Sequence, residues 1–327
     1  MPKNPSNESL VFAVDLGGTH LRVALVDDTG TIVQQVKQET PKGDSADSII
    51  DALVSAAKKW GAHQRSIVAA SIMVPGTVDS TKTAVLQAPN LPSVVGFRLK
   101  PELEQRLGWP VLLENDANAA AIGEMWLGAA RGYQDVISVT LGTGVGGGVI
   151  LDGKLWRGSH GGAGEIGHTT VDPFSGLKCK CGKTGCLELF ASATAIVRMT
   201  REKFSLFPES VLKTVLKSGE LSAVKVYEAG RNGDELALEV FRQFGMYLGI
   251  GLANLINLID PQIIVLAGGA ANGWDLFAPE MYRQVGQRAS CAAALEVKIA
   301  RAECGDNAGL LGAARLGFQT RLQDFHD

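Results

Sequence analysis

Residues 11–25 (VFAVDLGGTHLRVAL) align without a gap on residues 136–150 (VISVTLGTGVGGGVI), with Leu16–Gly17 falling on Leu141–Gly142. Each segment reads as strand, glycine turn, strand, because apolar runs are bounded by residues that permit a tight reversal. Any two glycine hairpins look alike, so coincidence is one reading. The other is a chain of two halves with common architecture, each presenting a phosphate-facing turn to a shared cleft. A length of 327 residues fits the second reading, since it favours about two domains. No short-period repeat or low-complexity segment competes with it.

The rest of the chain fills in around these hairpins. Strands are expected at 10–15, 21–27, 31–40, 67–74, 111–115, 136–141, 147–153 and 263–269. Helical spacing of apolar residues appears at 45–60, with Ser45 or Asp47 as cap candidates, at 101–108, and from Asp116 to 128. Further helices are expected at 191–203, 209–217, 221–231, 235–258 and 307–318. Strands come first in each half and helices come after them, which points to an α/β fold with mixed sheets.

Composition excludes several function classes. Hydrophobic residues make up 46% and charged residues 20%, as in an ordinary globular protein. The net charge of −3 gives no general pull toward nucleic acid or an anionic membrane. No apolar run reaches the roughly 18 residues of a membrane span, and the first nine residues read as a loose tail rather than a signal peptide. Of five cysteines, three fall at 179, 181 and 186, which suggests a metal site in a reducing, cytoplasmic setting rather than a disulfide framework. Cys291 and Cys304 read as small buried residues.

Four motifs carry chemistry. In D15-L-G-G-T19 a carboxylate ends a strand and precedes two glycines and a hydroxyl. Glycine lets successive backbone N–H groups approach a phosphate, and Asp15 suits water-mediated Mg2+ binding. A plain hairpin with an Asp at its mouth is the bland alternative. The run L141-G-T-G-V-G-G-G148 contains G-x-G-x-x-G, yet the GGVILDGKLW segment at its end alternates like a strand instead of opening a helix. It therefore fits a second phosphate-facing hairpin, with Thr143 offering a hydroxyl, better than a dinucleotide fingerprint. No G-x-x-x-x-G-K-[ST] is present.

In E114-N-D-A-N-A-A120, Asp116 stands after a strand and starts a helix. An Asp there is either an N-cap or a general base toward a substrate hydroxyl. Phosphoryl transfer asks for little more than alignment, a cation for the phosphates and such a base. Asn115 beside it suits hydrogen bonds to sugar hydroxyls. The fourth region, G161-G-A-G-E-I-G-H168 and then C179-K-C-G-K-T-G-C186-L-E188, supplies one His and three Cys, the donor set of a closed tetrahedral Zn2+ site. Free thiols and a redox role are the alternatives. Glu165 and Glu188 flank those ligands.

With these residues in view, the chain resembles the ROK family (repressors, open reading frames and sugar kinases), and within it the bacterial glucokinases. DLGGT, Pro75–Gly76, APN at 88–90, ENDANAAA, LGTGVGGG, GGAGEIGH, CKCGKTGCLE and LAGG carry the resemblance from about residue 10 to 318. The resemblance implies an actin-like, hexokinase-type (ribonuclease-H-like) ATPase fold of two α/β domains with a cleft between them. The expected small domain is 1–115 plus about 308–327, and the large one 116–307. It implies a cytoplasmic homodimer that phosphorylates glucose with ATP and Mg2+. Asp116 is then the base. Asn90, Asn115, Asp116, Glu165, His168 and Glu188 match sugar-contacting positions. Gly17, Gly18, Thr19, Thr143, Gly144 and Gly268 match nucleotide-phosphate positions, and His168, Cys179, Cys181 and Cys186 match ligands of a structural Zn2+. The stretch from His168 to Cys179 is one residue longer than the family pattern, which a loop absorbs.

Within that resemblance fructose, mannose, N-acetylglucosamine and N-acetylmannosamine compete with glucose, and polyphosphate competes with ATP. A sugar-sensing repressor is the rival class. It carries a helix-turn-helix ahead of the DLGGT strand, where about nine residues stand here.

Overall fold

The computed structural model describes residues 9–43, 45–60, 66–79, 81–290 and 296–323. Its first elements are β1 (Leu10–Leu16), β2 (His20–Asp27), β3 (Ile32–Glu39), α1 (Asp47–Lys59), β4 (Ile67–Val74), β5 (Thr77–Val78), β6 (Val85–Gln87), α2 (Leu99–Leu107), β7 (Val111–Asn115) and α3 (Asp116–Leu127). Next come β8 (Val136–Leu141), β9 (Val145–Leu151), β10 (Lys154–Leu155), α4 (Ala193–Lys203), α5 (Leu212–Lys217), α6 (Ala223–Arg231) and α7 (Glu235–Ile259). The chain ends with β11 (Ile263–Ala267), α8 (Trp274–Arg288), β12 (Lys298–Arg301) and α9 (Ala308–Gln323). Two units result: Met1–Gln134, Gly148–Ala163 and Glu303–Asp327 form unit 1, and Asp135–Gly147 and Gly164–Ala302 form unit 2.

Unit 1 is built on a sheet ordered β3-β2-β1-β4-β7, antiparallel from β3 to β1 and parallel from β1 to β7. Side chains on β1 alternate between two cores, as the period of two requires. Leu10, Phe12, Val14 and Leu16 join Ile50 and Leu53 of α1 and Leu99 of α2. Val11 and Ala13 face the other way, against Ala119 of α3 and Leu310 and Ala314 of α9. The small residues on that second face let α3 and α9 cross closely. A Cβ on Gly312 would stand 1.7 Å from the Ala119 carbonyl oxygen. α3 therefore packs in unit 1, beyond the boundary at residue 115 expected from sequence.

The chain re-enters unit 1 at a buried anchor. The Glu124 carboxylate accepts the N–H groups of Ala129 (2.9 Å), Glu303 (3.0 Å) and Cys304 (2.8 Å). Cys304 is half-buried rather than fully buried, and burial together with the Glu124 charge pushes its thiol up to about 12. Cys291 lies outside the described residues. At α1, Ala46 takes the N-cap position without a side-chain bond, so neither Ser45 nor Asp47 caps that helix.

In unit 2, β8, β11 and β12 pair in parallel, with β9 on the far side of β8. The long α7 packs Val240, Phe244, Leu248 and Leu252 into the core at helical spacing, against Ile196 of α4 and Phe277 and Met281 of α8. Ser192, Ser222 and Asp234 cap α4, α6 and α7 through side-chain oxygens. Among the described residues no helix is long and apolar enough to cross a membrane.

Candidate functional site

The parallel pairing in unit 1 sets Asp15 beside Met73 and Met73 beside Glu114. The turns after β1, β4 and β7 thus leave the sheet at one edge, the carboxyl end of parallel strands where open α/β sheets hold ligands. Gly17–Gly18, Pro75–Gly76 and Asn115–Asp116 occupy that edge. A Cβ on Gly18 would stand 2.8 Å from Asn90 Cβ, so two expected site residues are in direct contact. Thr40, which sequence reasoning missed, braces the turn: its hydroxyl donates to the Gly17 carbonyl at 2.6 Å and its N–H to the Thr19 carbonyl at 2.9 Å. Asp15, expected to face Mg2+, has its Oδ2 held by the Arg22 guanidinium, with Nε at 3.0 Å.

Asn115, not Asp116, is the N-cap of α3. Its backbone is extended (φ −67°, ψ 144°) and its Oδ1 accepts the Asn118 N–H at 3.0 Å. Its Nδ2 donates to the Gly76 carbonyl at 3.0 Å, so the side chain expected to meet sugar hydroxyls also ties two turns together. Asp116 is the first helical residue, and its Oδ1 accepts the Ala117 N–H at 2.8 Å. Beneath this turn lies a pocket of about 160 Å3 lined by Lys82, Glu114, Asn115, Asn118, Arg157 and Ser159, among others. Burial holds the Lys82 ammonium below its ordinary pKa, although the Glu114 charge opposes that shift.

Unit 2 gathers a second group. The Gly142 N–H donates to the Gly144 carbonyl at 2.9 Å, closing the glycine turn between β8 and β9. Gly268 adopts φ +86° directly after β11, where a Cβ would meet the Leu141 carbonyl oxygen at 2.5 Å. Only glycine suits that left-handed position at such close approach, and it brings the two glycine turns of unit 2 into contact. The start of α4 completes the arrangement. Ala193 N–H donates to the Gly142 carbonyl (2.8 Å) and the Thr194 hydroxyl to the Thr143 carbonyl (2.7 Å). The S-A-T string at 192–194 was the available signal for this brace.

Glu188 borders the same turn: its Oε2 accepts the Val145 N–H at 3.0 Å. Its Oε1 stands 3.8 Å from Cys179 Sγ. One donor atom from each of His168, Cys179, Cys181 and Cys186 lies within 4.8 Å of the others. His168 Nδ1 is 3.7 Å from Cys179 Sγ, and Cys181 Sγ is 3.7 Å from Cys186 Sγ. A tetrahedral zinc with Zn–S near 2.3 Å sets sulfurs about 3.8 Å apart, so the donor set fits the ion. Burial, and after it the neighbouring thiols, push Cys186 up to about 12, a cost that a dication in the cluster would reverse. His168 Nε2 points elsewhere, 3.8 Å from Glu165 Oε2, so the ring can serve the metal with one nitrogen and a ligand with the other.

The chain is similar to known proteins over nearly its whole length. A family model described as the ROK family matches residues 11–320. A glucokinase from Halalkalibacterium halodurans is 37% identical over 308 residues, 93% of each chain. A xylose repressor from Bacillus subtilis is 30% identical over 93% of this chain and 75% of its own. Among solved structures, that of a ROK family glucokinase from Streptomyces griseus in complex with glucose and AMPPNP matches with a TM-score of 0.80 at 37% identity, covering 95% of this chain and 100% of that one.

Proposed function

The chain belongs to the ROK family and has the actin-like α/β fold of its sugar kinases, and from that premise we propose that it phosphorylates the 6-hydroxyl of glucose with ATP, Asp116 acting as general base. The observation that carries this reading is the position of Asp116, at the start of α3 on the strand edge that also presents the Gly17–Gly18 turn. Kinship supports the sugar. The glucokinase relative is 37% identical and the repressor 30%.

In the proposed reaction the 6-hydroxyl oxygen bonds to the γ-phosphorus while the bond from that phosphorus to the bridging oxygen breaks. The hydroxyl proton passes to the Asp116 carboxylate and ADP leaves. Little covalent chemistry is asked of the protein beyond this transfer, so alignment and charge stabilisation dominate. Asn90, Asn115, Glu165, His168 and Glu188 are the proposed sugar contacts. Carboxylates accept from paired hydroxyls, which suits a polyol. Gly17, Gly18, Thr19, Thr143, Gly144 and Gly268 are the proposed phosphate contacts. Mg2+ would enter with ATP and supply charge neutralisation, with Asp15 as its proposed holder. Zn2+ on His168, Cys179, Cys181 and Cys186 would be structural, since four protein donors leave no open position.

A coupled assay tests the reading with glucose, fructose, mannose, N-acetylglucosamine and N-acetylmannosamine, each with ATP and with polyphosphate. Glucose with ATP is expected to give the highest kcat/KM. A higher value for another pair reassigns the substrate or donor. No phosphorylation of any sugar by either donor removes the kinase reading.

A further inference from the structure

Glu114 lies two residues before Asp116 and is 5% exposed, and its two oxygens face different elements. Oε1 accepts the Asn115 N–H at 3.1 Å and Asn118 Nδ2 at 3.0 Å. Because the Asn118 N–H donates back to Asn115 Oδ1, these three residues close a ring around the first turn of α3. Asp116 stands on that turn. Oε2 accepts from Arg157 Nε at 2.7 Å and lies 3.7 Å from Lys82 Nζ.

Both cations come from constrained backbone. Lys82 holds φ +55° in a turn where its N–H donates to the Asp79 carbonyl at 2.9 Å. Arg157 opens a loop closed by the Ala163 N–H on the Arg157 carbonyl at 3.0 Å, and the chain then continues to Glu165. A buried anion thus joins the turn bearing Asp116 to the root of the loop from Arg157 to Ala163. Stability alone does not account for it. A buried ion pair can often be exchanged for apolar residues of similar volume without loss of stability. What such a network supplies is a fixed geometry.

We propose that Glu114 is a positioning residue for Asp116. It fixes the first turn of α3 and holds the Arg157 loop against it, so that the base meets the sugar hydroxyl in line. This inference rests on the kinase reading above.

Glu114→Gln tests it. Glutamine keeps the shape and the Oε1 acceptor, but turns an NH2 donor toward Arg157 and Lys82. A misplacement of the base by a fraction of an ångström should lower kcat by about 30- to 100-fold, with KM for glucose held within about threefold. Glu114→Gln/Arg157→Gln removes the clash of donors, so its kcat should be no lower than that of Glu114→Gln alone, a non-additive result. A purely structural Glu114 would shift the unfolding midpoint and leave kcat per folded molecule unchanged. Either a folded Glu114→Gln with kcat within about twofold of the parent, or additive losses across the cycle, overturns the proposal. Should Glu114→Gln not fold, Arg157→Gln decides alone: Arg157 is 31% exposed, and a kcat loss of about tenfold at unchanged KM supports the role, whereas unchanged kcat ends it. A parent protein that phosphorylates no hexose fails earlier, at the kinase reading itself.

Discussion

Glu188 joins the cluster to the glycine turn, accepting the Val145 N–H at 3.0 Å with one oxygen while the other stands 3.8 Å from Cys179 Sγ. Loss of a metal from the cluster should therefore be felt at the turn. Structural zinc sites carry apparent binding energies of about 10–16 kcal/mol, comparable to the whole stability of a domain. Cys186→Ser or a strong chelator is expected to remove bound zinc, as read by metal analysis, and to open the segment 170–186 to proteolysis. Glucose affinity should fall by about tenfold or more, the usual cost of disturbing groups next to a metal. Unchanged affinity after verified zinc loss would refute the link, and protein purified without zinc from zinc-replete medium would refute the metal.

Asp116 can be separated from its helix. Since Asn115 caps α3, replacing Asp116 leaves the N-cap in place, and the loss of its first-turn charge should cost the helix under about 1 kcal/mol. Asp116→Ala should unfold at nearly the parent midpoint and still bind glucose by calorimetry. Its kcat should drop by about 10²- to 10⁴-fold, the span of general-base catalysis. Near-normal turnover would take the base away from this residue.

β1, β4, β8 and β11 were legible because each is an apolar run closed by glycine or proline, whereas the two- and three-residue strands β5, β6 and β10 carry no such run. The cluster of His168, Cys179, Cys181 and Cys186 was legible because its members fall within one short stretch. α8 and β12 were not. Pro279 breaks the pattern of α8, and the four-residue β12 owes its order to pairing with β11. Asn115 and Asp116 are both good caps by type, and only the extended backbone of Asn115 decides between them. The contact between Glu114 and Arg157 spans 43 residues of chain, and no local pattern announces it. Arg22 on Asp15 is a cross-strand pair that becomes visible only once β1 and β2 are in register.

The close crossing of α3 and α9 predicts a contrast between two glycines on one helix. At Gly312 an added methyl would stand 1.7 Å from the Ala119 carbonyl oxygen. Backbone cannot swing aside as a side chain can, so the helices must part. Gly312→Ala is expected to cost at least about 1–3 kcal/mol in urea unfolding. Ala119 lies one turn beyond Asp116, so kcat should fall as well. Gly309→Ala meets nothing within 4 Å, and should leave stability unchanged or raise it by about 0.5 kcal/mol through helix propensity. Equal midpoints for the two variants would contradict the packing described.

Asp79 predicts how the protein responds to acid. Its Oδ1 accepts the N–H groups of Thr83 (2.6 Å) and Ala84 (2.9 Å), and its Oδ2 accepts the hydroxyls of Thr83 (3.0 Å) and Thr81. Burial works against the charge, but the bonds from Ala84, Thr81 and Thr83 outweigh it and bring the carboxyl from 3.8 to about 2. A folded-state pKa below the unfolded one stabilises the protein above the unfolded value, and the benefit disappears as pH falls through the folded value. Asp79→Asn should therefore unfold at lower urea than the parent near pH 7. The gap should stay constant down to about pH 5, then narrow from there toward about pH 2 as the parent takes up its proton. Urea midpoints of both proteins across that range make the check. A gap that keeps its full width in acid would mean that the ionised carboxylate is not what holds the turn between β5 and β6.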